Sequence, residues 1–280
     1  MKTLILQARE TELFSYLLKY RVATIYQLMR DLPDAPARRH FSPRLKRLVE
    51  LGYLMRDELD MKWVYSLGPI GQKLLFDRAI IPQRYRLSHI GNLITKTRHD
   101  VLLNDIYHAI EPIDGIQNLK THNQLIIEGL SGGKLLNIPD GVFQVPCNDK
   151  KVNVALELEL SAKSRMRYRK VIYLYHKNRN IPVVLYITAN QELKRSIHYC
   201  TREFFAKRSA SDKIFVATVD KFMEDPELCQ FESSEGRVLS FQGIMNRSTE
   251  EVLEALTKRN VDWAPTWAPC PTEGKTIFAS

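Results

Sequence analysis

The sequence has few of the features that mark zinc-binding, secreted or membrane-spanning proteins. Its four cysteines, Cys147, Cys200, Cys229 and Cys270, form no CxxC pair and have no histidine at metal-ligand spacing, which argues against a zinc site. There is no run of about 18 apolar residues. The stretch MKTLILQARETE lacks the apolar core and cleavage site of a signal peptide. We therefore expect a reduced, cytoplasmic protein with no membrane partner.

Acidic residues are missing from two long segments. Between Ala35 and Val49 there are five arginines and lysines and no acid, and the segment from Leu160 to Gln191 has seven and no acid. The chain of 280 residues carries a formal net charge of +9. Clustered lysine and arginine favour a polyanionic partner, because they displace counterions from phosphate backbones. We expect that partner to be DNA.

Hydrophobic spacing predicts two domains and a tail, at 1–82, 83–262 and 263–280. The first domain contains three short amphipathic helices, a hairpin in YLMRDELDMKWVYSL and a further helix in GPIGQKLLFDRA. Thr24 is placed as a helix N-cap and Gly52 as a helix stop. This order predicts a winged helix-turn-helix, in which the third helix enters the major groove and the hairpin contacts the flanking backbone.

The third predicted helix, in ARRHFSPRLKRLVELG, supplies the DNA-contacting surface. Its apolar stripe consists of Phe41, Leu45, Leu48 and Val49. The other positions are basic or polar, as a DNA-reading helix requires. The predicted DNA contacts of this domain are Arg38, Arg39, Ser42, Lys46 and Arg47, with Lys62 and Trp63 at the hairpin tip. The alternative is a winged-helix module that contacts only proteins.

The second domain is predicted to be a mixed sheet flanked by helices, in an α+β or α/β arrangement. A long helix in HIGNLITKTRHDVLLNDIYHAI precedes three strand-like runs, NLKTHNQLII, PDGVFQV and VNVALELEL. Helix and strand then alternate through SRMRYRKVIYLYHKN, IPVVLYITA, ELKRSIHYCTREFFAKR and KIFVATV. Antiparallel strands followed by strand-helix-strand units imply a mixed sheet with helices packed against it.

Two neighbouring strands of this sheet carry candidate catalytic acids. Asp140 begins one strand, and Glu157 and Glu159 share one face of the next. If these strands pair, the three carboxylates repel one another, and a divalent cation relieves that repulsion. Their oxygen atoms suit Mg²⁺ or Mn²⁺. The alternative is an exposed strand face on which both glutamates pair with nearby cations.

The basic segment after these acids complements them. Lys163 is placed to orient an attacking water or to stabilise charge, as phosphodiester cleavage requires. Arg165, Arg167 and Arg169 are predicted to hold the DNA backbone. Tyr168, Tyr173 and Tyr175 flank the site, but at helical spacing they are interpreted as core or stacking residues rather than nucleophiles.

Pro139 and Asp140, followed after a hairpin-length gap by ELE and then Lys163, resemble the PD-(D/E)xK nuclease core. Together with the winged helix, the segments YSLGPIGQKLL and RHDVLLNDI are similar to the replication-relaxation proteins, which include MobC-type plasmid relaxases. The resemblance extends from about Leu4 to Tyr186. It implies metal binding by Asp140 and Glu157.

The chain departs from this resemblance at Glu159, where the nuclease pattern has lysine. Either Glu159 is a third acidic ligand and Lys163 supplies the amine from the following helix, or the core is degenerate and does not cut. The resemblance also implies contributions from a helix through His99, Asp100 and Asp105.

The leading hypothesis is a metal-dependent endonuclease of relaxase type that recognises and nicks DNA in plasmid mobilisation, conjugation or replication. None of the seven histidines forms an HxH pair, which disfavours the histidine-cluster relaxases. The alternative is a non-catalytic DNA-binding replication or transcription factor with a degenerate nuclease core. A third possibility is a module that binds partner proteins through the C-terminal WAPTWAPCP.

Overall fold

The computed structural model describes residues 6–33, 36–78, 80–81, 94–130, 137–147, 150–206, 213–241 and 243. Across these ranges no helix has both the length and the apolar character needed to cross a membrane. The predicted tail, 263–280, and most of the connector at 80–88 lie outside the described residues. The described chain has a mixed α+β architecture, with a three-stranded sheet followed by a seven-stranded sheet.

The N-terminal part combines short helices with the three-stranded antiparallel sheet, in strand order β1-β3-β2. Leu17, Leu28, Leu45 and Leu48 are fully buried in one core, because the amphipathic helices turn their apolar faces toward each other. The elements are α1 (Ala8–Tyr20), β1 (Val22–Thr24), α2 (Ile25–Asp31), α3 (Arg38–Glu50), β2 (Leu54–Leu59), β3 (Lys62–Leu67) and α4 (Pro69–Asp77).

The predicted third helix is α3, and its buried and exposed faces are as the spacing predicts. Phe41, Leu45 and Leu48 are buried, while Val49 is half-buried. Gly52 follows the helix with a φ of 75°, the left-handed conformation that glycine adopts without strain. The predicted DNA-contacting residues of α3 are all exposed: Arg38, Arg39, Ser42, Lys46 and Arg47.

The β2–β3 hairpin closes through a two-residue turn at Asp60 and Met61. Both have positive φ values, 48° and 60°, as a type I′ turn requires. Lys62 and Trp63 therefore begin the second strand, directly beside the tip. The tip is not isolated, because the Asp60 carboxylate accepts a hydrogen bond from Arg98 at 2.7 Å.

The C-terminal part is built on the seven-stranded sheet, in strand order β10-β9-β8-β7-β6-β5-β4. The pairs β6–β7 and β7–β8 are parallel, and the other neighbours are antiparallel. The elements are α5 (Ile94–Ile110), β4 (Gln117–Thr121), α6 (His122–Leu130), β5 (Gly141–Cys147), β6 (Lys150–Glu159), α7 (Arg165–Lys177), β7 (Val183–Thr188), α8 (Gln191–Phe205), β8 (Ile214–Thr218), α9 (Val219–Glu224), β9 (Phe231–Ser233) and β10 (Val238–Leu239).

Strand β6 separates two apolar layers, as its alternating sequence predicts. Val154, Leu156 and Leu158 pack with α5 in the larger core. Ala155 lies on the opposite face, in the core formed with α7 and α8. Glu157 and Glu159 share that second face, because side chains two residues apart in a strand point the same way.

The strand predicted over NLKTHNQLII is wrong in its second half. Strand β4 ends at Thr121, and α6 begins at His122. The cause is a local cap: the Gln124 side chain accepts from the Thr121 backbone amide at 2.9 Å, and the Gln124 amide donates to the Thr121 hydroxyl at 3.4 Å. The short elements α9, β9 and β10 were not predicted either.

The two predicted domains are joined by polar contacts to backbone carbonyls in the last turn of α1 and at the start of β1. Asn123 donates to the Leu18 carbonyl at 2.8 Å, and the Thr121 hydroxyl donates to the Lys19 carbonyl at 2.6 Å. Asn104, on α5, donates to the Val22 carbonyl. The end of α1 therefore lies directly against the helices that flank the larger sheet.

Gly71→Ala is expected to destabilise the protein by about 1–3 kcal/mol, because overpacking forces backbone shifts. An ideal Cβ at Gly71 lies 2.3 Å from the Tyr53 carbonyl oxygen, whereas one at Gly129 meets no atom within 4 Å. Gly129→Ala, also within a helix, is expected to stabilise by about 0.5–1 kcal/mol. Urea denaturation of both variants measures the two signs. An equal urea midpoint for Gly71→Ala and Gly129→Ala would contradict the expected clash between a Cβ at Gly71 and the Tyr53 carbonyl oxygen.

Candidate functional site at the end of strands β5 and β6

The β5–β6 register brings Asp140 and Glu157 together. Gly141 pairs with Leu156 across the antiparallel ladder, so the preceding residue, Asp140, lies opposite Glu157. The Asp140 carboxylate accepts from the Leu158 backbone amide at 2.8 Å. This contact holds the Asp140 carboxylate at the end of the sheet, between the two apolar layers.

Glu157 is a half-buried carboxyl group that accepts hydrogen bonds from two uncharged side chains. The Tyr175 hydroxyl donates to its Oε1 atom, and the Asn137 side chain donates to the same atom at 3.3 Å. Burial, followed by the negative charge of Asp140, raises the pKa of Glu157 to about 8. Glu157 therefore binds a proton near neutral pH unless a cation replaces that proton.

Asp140 is held differently, by a histidine of α5. His99 Nε2 lies 3.2 Å from Asp140 Oδ2. Burial would raise the pKa of Asp140, but the hydrogen bond and charge of His99 outweigh it and lower that pKa. The Tyr107 hydroxyl donates to the Asp140 backbone carbonyl. Asp140 therefore favours its ionised form and Glu157 its protonated form. Neighbouring acids whose pKa values are shifted in opposite directions are typical of functional sites.

Glu159 is already paired within the site. Its Oε2 atom lies 2.6 Å from the Lys163 ammonium, and its side chain is 3% exposed. The sequence predicts that Lys163 lies on the following helix, and this is wrong. Helix α7 begins at Arg165, with Ser164 as its N-cap. The ammonium reaches Glu159 from the short connector instead, because the connector leaves β6 on the side of the acids.

The helix residues implied by the family resemblance separate into two groups. His99 and Asp100 reach the site, and they contact each other at 3.2 Å. Asp105 does not reach it, because it follows Asp100 by five residues and lies about 140° further around the helix, where its carboxylate faces α2. There it accepts from Arg30 at 2.9 Å and from Gln27 at 2.9 Å.

The arginines at the start of α7 also separate. Arg167 lines the cavity beside the acids. Arg165 instead contacts α8, where it pairs with Glu203 at 2.6 Å and donates to the Tyr199 hydroxyl at 2.7 Å. Arg169 is half-buried. Successive odd positions on a helix are about 200° apart, so these residues cannot all face one ligand.

The acids line a cavity of about 580 Å³ between the N-terminal part and the large sheet. Sequence reasoning missed four of its basic residues, because they come from α1, the turn after it and α5, outside the two acid-free segments. No sequence signal marks them, since each is an ordinary charged residue in its own segment. The basic side chains of the lining are Lys19, Arg21, Lys96, Arg98, Lys163 and Arg167.

Comparison with known proteins adds no family to this geometry. No protein-family model matches the chain, and no curated protein or solved structure matches it significantly. The function is therefore argued from the site itself.

The donor atoms of the site partly fit a divalent metal. Carboxylate oxygens of Asp140 and Glu157 are the ligands that Mg²⁺ and Mn²⁺ prefer, and a cation would replace the proton on Glu157. Glu159 fits less well, because Lys163 neutralises it. In the described part of the chain, no group of three or more histidine, cysteine, aspartate or glutamate side chains has an arrangement that could hold a metal ion.

The predicted DNA-contacting surface of the N-terminal part is accessible. Arg38 lies over the Tyr26 ring, with its guanidinium 5.0 Å from the ring centroid. On the hairpin, the Arg56 guanidinium lies 4.0 Å from the Trp63 ring centroid, and Trp63 is 45% exposed. Such cation–π contacts hold both arginines in position without neutralising their positive charge.

Tyr168 and Tyr175 of α7 do not present a nucleophile, and half-buried Tyr173 packs edge-on against Phe204, with ring centroids 6.5 Å apart. Tyr168 and Tyr175 are 4% and 1% exposed. Burial raises the pKa of Tyr168 to about 12 and that of Tyr175 well above its usual value. Their hydroxyl groups serve the structure, Tyr175 by donating to Glu157.

Glu157→Gln is expected to stabilise the metal-free protein at alkaline pH. The Glu157 pKa is about 8 in the fold against 4.5 for a free side chain, so the folded state binds a proton that the unfolded chain releases. The free energy of unfolding of the wild type therefore falls as pH rises through this interval, and glutamine removes that loss.

Urea titrations in a chelating buffer at a series of pH values measure the difference. The difference in free energy of unfolding between Glu157→Gln and wild type should be near zero at acidic pH. It should increasingly favour the variant as pH rises toward the pKa of Glu157 in the folded protein. Glu128→Gln, an exposed position on α6, is the control and should show no such growth. A pH-independent difference for Glu157→Gln would contradict the elevated pKa.

Proposed function

We propose that this chain is a DNA-binding protein that nicks DNA with a metal-dependent site in plasmid or mobile-element mobilisation or replication. The observation that carries the proposal is the meeting of Asp140 and Glu157 at the end of paired strands, beside Lys163, in a cavity lined by cations from three separate segments. Acids that repel one another beside phosphate-binding cations suit phosphodiester chemistry.

The N-terminal part supports the binding half of the proposal. Its order of helices, its hairpin and the exposed basic face of α3 support the proposal of a winged helix-turn-helix that would read duplex DNA. The hairpin would contact the flanking backbone through Lys62, beside Trp63. Arg38, Arg39 and Lys46 of α3 are solvent-exposed, so their charges would be available to phosphate. Arg47 is also exposed but lies 3.3 Å from Glu50, and Arg44 is half-buried beside Glu10 at 2.9 Å.

The size of the cavity indicates which form of DNA reaches the acids. A volume of about 580 Å³ is in the range of sites that enclose small ligands. One or two nucleotides of a displaced strand fit that volume, and an intact duplex does not. The scissile strand would therefore leave the duplex before it reaches Asp140 and Glu157.

The residues of the site have separable roles in such a reaction. Asp140 and Glu157 would hold Mg²⁺ or Mn²⁺, which when bound polarises a phosphate oxygen. The Lys163 ammonium lies at the cavity wall, where it is placed to bind a non-bridging oxygen or to orient water. Arg167 and Lys96 line the same cavity and would hold the flanking phosphates.

The test is conversion of supercoiled plasmid to open circles. The plasmid should carry the origin region that accompanies this gene, and reactions should contain Mg²⁺, Mn²⁺ or a chelator. Open circles are expected with either metal and not with the chelator. Equal product in the chelator, or no product with either metal on both plasmid and single-stranded oligonucleotides, would remove the assignment.

A non-catalytic DNA-binding protein is the second candidate, and a specific observation favours it. Glu159 is neutralised by Lys163 at 2.6 Å, and Asp140 is held by His99 at 3.2 Å. Two of the three acids are therefore stabilised without an ion. Calorimetry with Mn²⁺ separates the candidates: a scaffold binds no metal, yet retains duplex binding that weakens steeply with salt.

A further inference from the structure

We propose that Arg21, in the turn between α1 and β1, is a positioning residue for Asp140 and acts through Asp100 and His99. The inference rests on the proposed function, since Asp140 is its endpoint. It assigns to the N-terminal part a direct hold on the nuclease-type site.

The four side chains form a continuous series of contacts. Arg21 Nη1 lies 3.1 Å from Asp100 Oδ2. The other oxygen of Asp100 lies 3.2 Å from His99 Nδ1, and His99 Nε2 lies 3.2 Å from Asp140 Oδ2. Nitrogen-bearing side chains alternate with carboxylates along the series, so each member favours the placement of the next.

His99 is oriented from both sides. Its Nε2 atom faces Asp140 and also the Leu158 carbonyl, at 3.1 Å, while Nδ1 faces Asp100. Each ring nitrogen is thus directed at oxygen atoms that can only accept. Asp100 holds the Nδ1 side of the ring, and Arg21 holds Asp100. A displaced Asp100 would therefore change the orientation of the ring toward Asp140.

Arg21 itself is held in an uncommon conformation. Its φ is 67° and it is not glycine, a backbone conformation that ordinary residues rarely adopt. Its side chain is only 13% exposed, and that of Asp100 is 7% exposed. The pair is therefore screened from water, unlike an ordinary surface ion pair.

A second ion pair between the same two parts of the chain supplies a matched control. Asp60, at the hairpin tip, lies 2.7 Å from Arg98, the residue before His99. These side chains are 60% and 57% exposed and do not extend the series to Asp140. Asp60→Asn thus removes a contact between the N-terminal part and α5 and leaves the four side chains of the series unchanged.

The experiment compares Arg21→Asn, Arg21→Lys and Asp60→Asn in the full chain. Arg21 has φ 67° and ψ −49°, and asparagine adopts positive φ values more often than most residues, so it is the substitution chosen to remove the cation. The ¹⁵N resonances of the His99 ring, assigned with His99→Gln, should move in Arg21→Asn, return toward wild type in Arg21→Lys and stay unchanged in Asp60→Asn. Nicking should fall about 10–100-fold in Arg21→Asn, as for other residues that orient ligands.

Unchanged His99 resonances in Arg21→Asn, or an equal change in Asp60→Asn, would overturn the proposal. If Arg21→Asn does not fold, Asp100→Asn provides the same reading, because it keeps the side-chain shape and removes the charge. The ring signals are recorded without metal or DNA. A wild-type protein that fails to nick would therefore remove the proposed function and leave this test standing.

Discussion

Glu157→Gln is expected to lower metal-dependent nicking by about a thousandfold, the effect of losing one group that stabilises a developing charge. Glutamine is neutral and cannot replace the carboxylate that would hold the ion with Asp140. The fold should survive, because Glu157 is itself protonated near neutral pH in the metal-free protein. The measurement is the rate of open-circle formation with Mn²⁺ at saturating protein.

Two controls make this expectation specific. Glu128→Gln makes the same chemical change at an exposed position on α6 and should leave the rate within twofold of wild type, as roughly expected of surface substitutions. Duplex affinity should be unchanged in both variants, since α3 is untouched. Equal nicking by Glu157→Gln and wild type would exclude Glu157 from the chemistry and would favour the non-catalytic candidate.

Arg39→Ala combined with Lys46→Ala is expected to weaken duplex binding by about 10–100-fold and to reduce the salt slope by about 2. Both side chains project from the exposed face of α3, where each would neutralise one phosphate. Neither packs in the core, so stability should not change. Affinities measured at several salt concentrations yield both quantities.

The matched control for this pair is Arg195→Ala combined with Lys221→Ala. These residues are exposed on α8 and α9, and the substitution removes the same net charge from another part of the molecule. If both pairs lose the same affinity and the same salt slope, binding reflects overall charge, and α3 has no special role. Nicking of a single-stranded oligonucleotide should persist in the α3 variant, because the cavity is intact.

Much of the secondary structure follows from local pattern. The period of two in β6 predicted the face shared by Val154, Leu156 and Leu158, and that face is buried as expected. The apolar stripe of α3 was predicted from its period of about 3.6 residues. The strand predicted through residues 118–127 failed, because a cap between Thr121 and Gln124 started a helix inside a run whose apolar residues favoured neither period.

The site was predictable in part. Pairing of two neighbouring strands brought Asp140 opposite Glu157, and that requires only a hairpin and its register. Whether Arg165, Arg167 or Arg169 faces the acids was not predictable, since it depends on Glu203 and on the packing of α8. Asp105 resembled a site residue by sequence, but Arg30 draws its carboxylate to α2.

The sequence by itself determined most of the longer elements, the acid-bearing strands and the basic face of α3, because each depends on side chains a few residues apart. Only the tertiary structure decided which charges meet. Arg21, Lys96 and Arg98 reach the cavity because α5 packs against β1, the strand that follows α1, and Lys163 reaches Glu159 through a connector. Coulombic partners are selected by distance in space, and that distance is set by the packing of whole helices against the sheet.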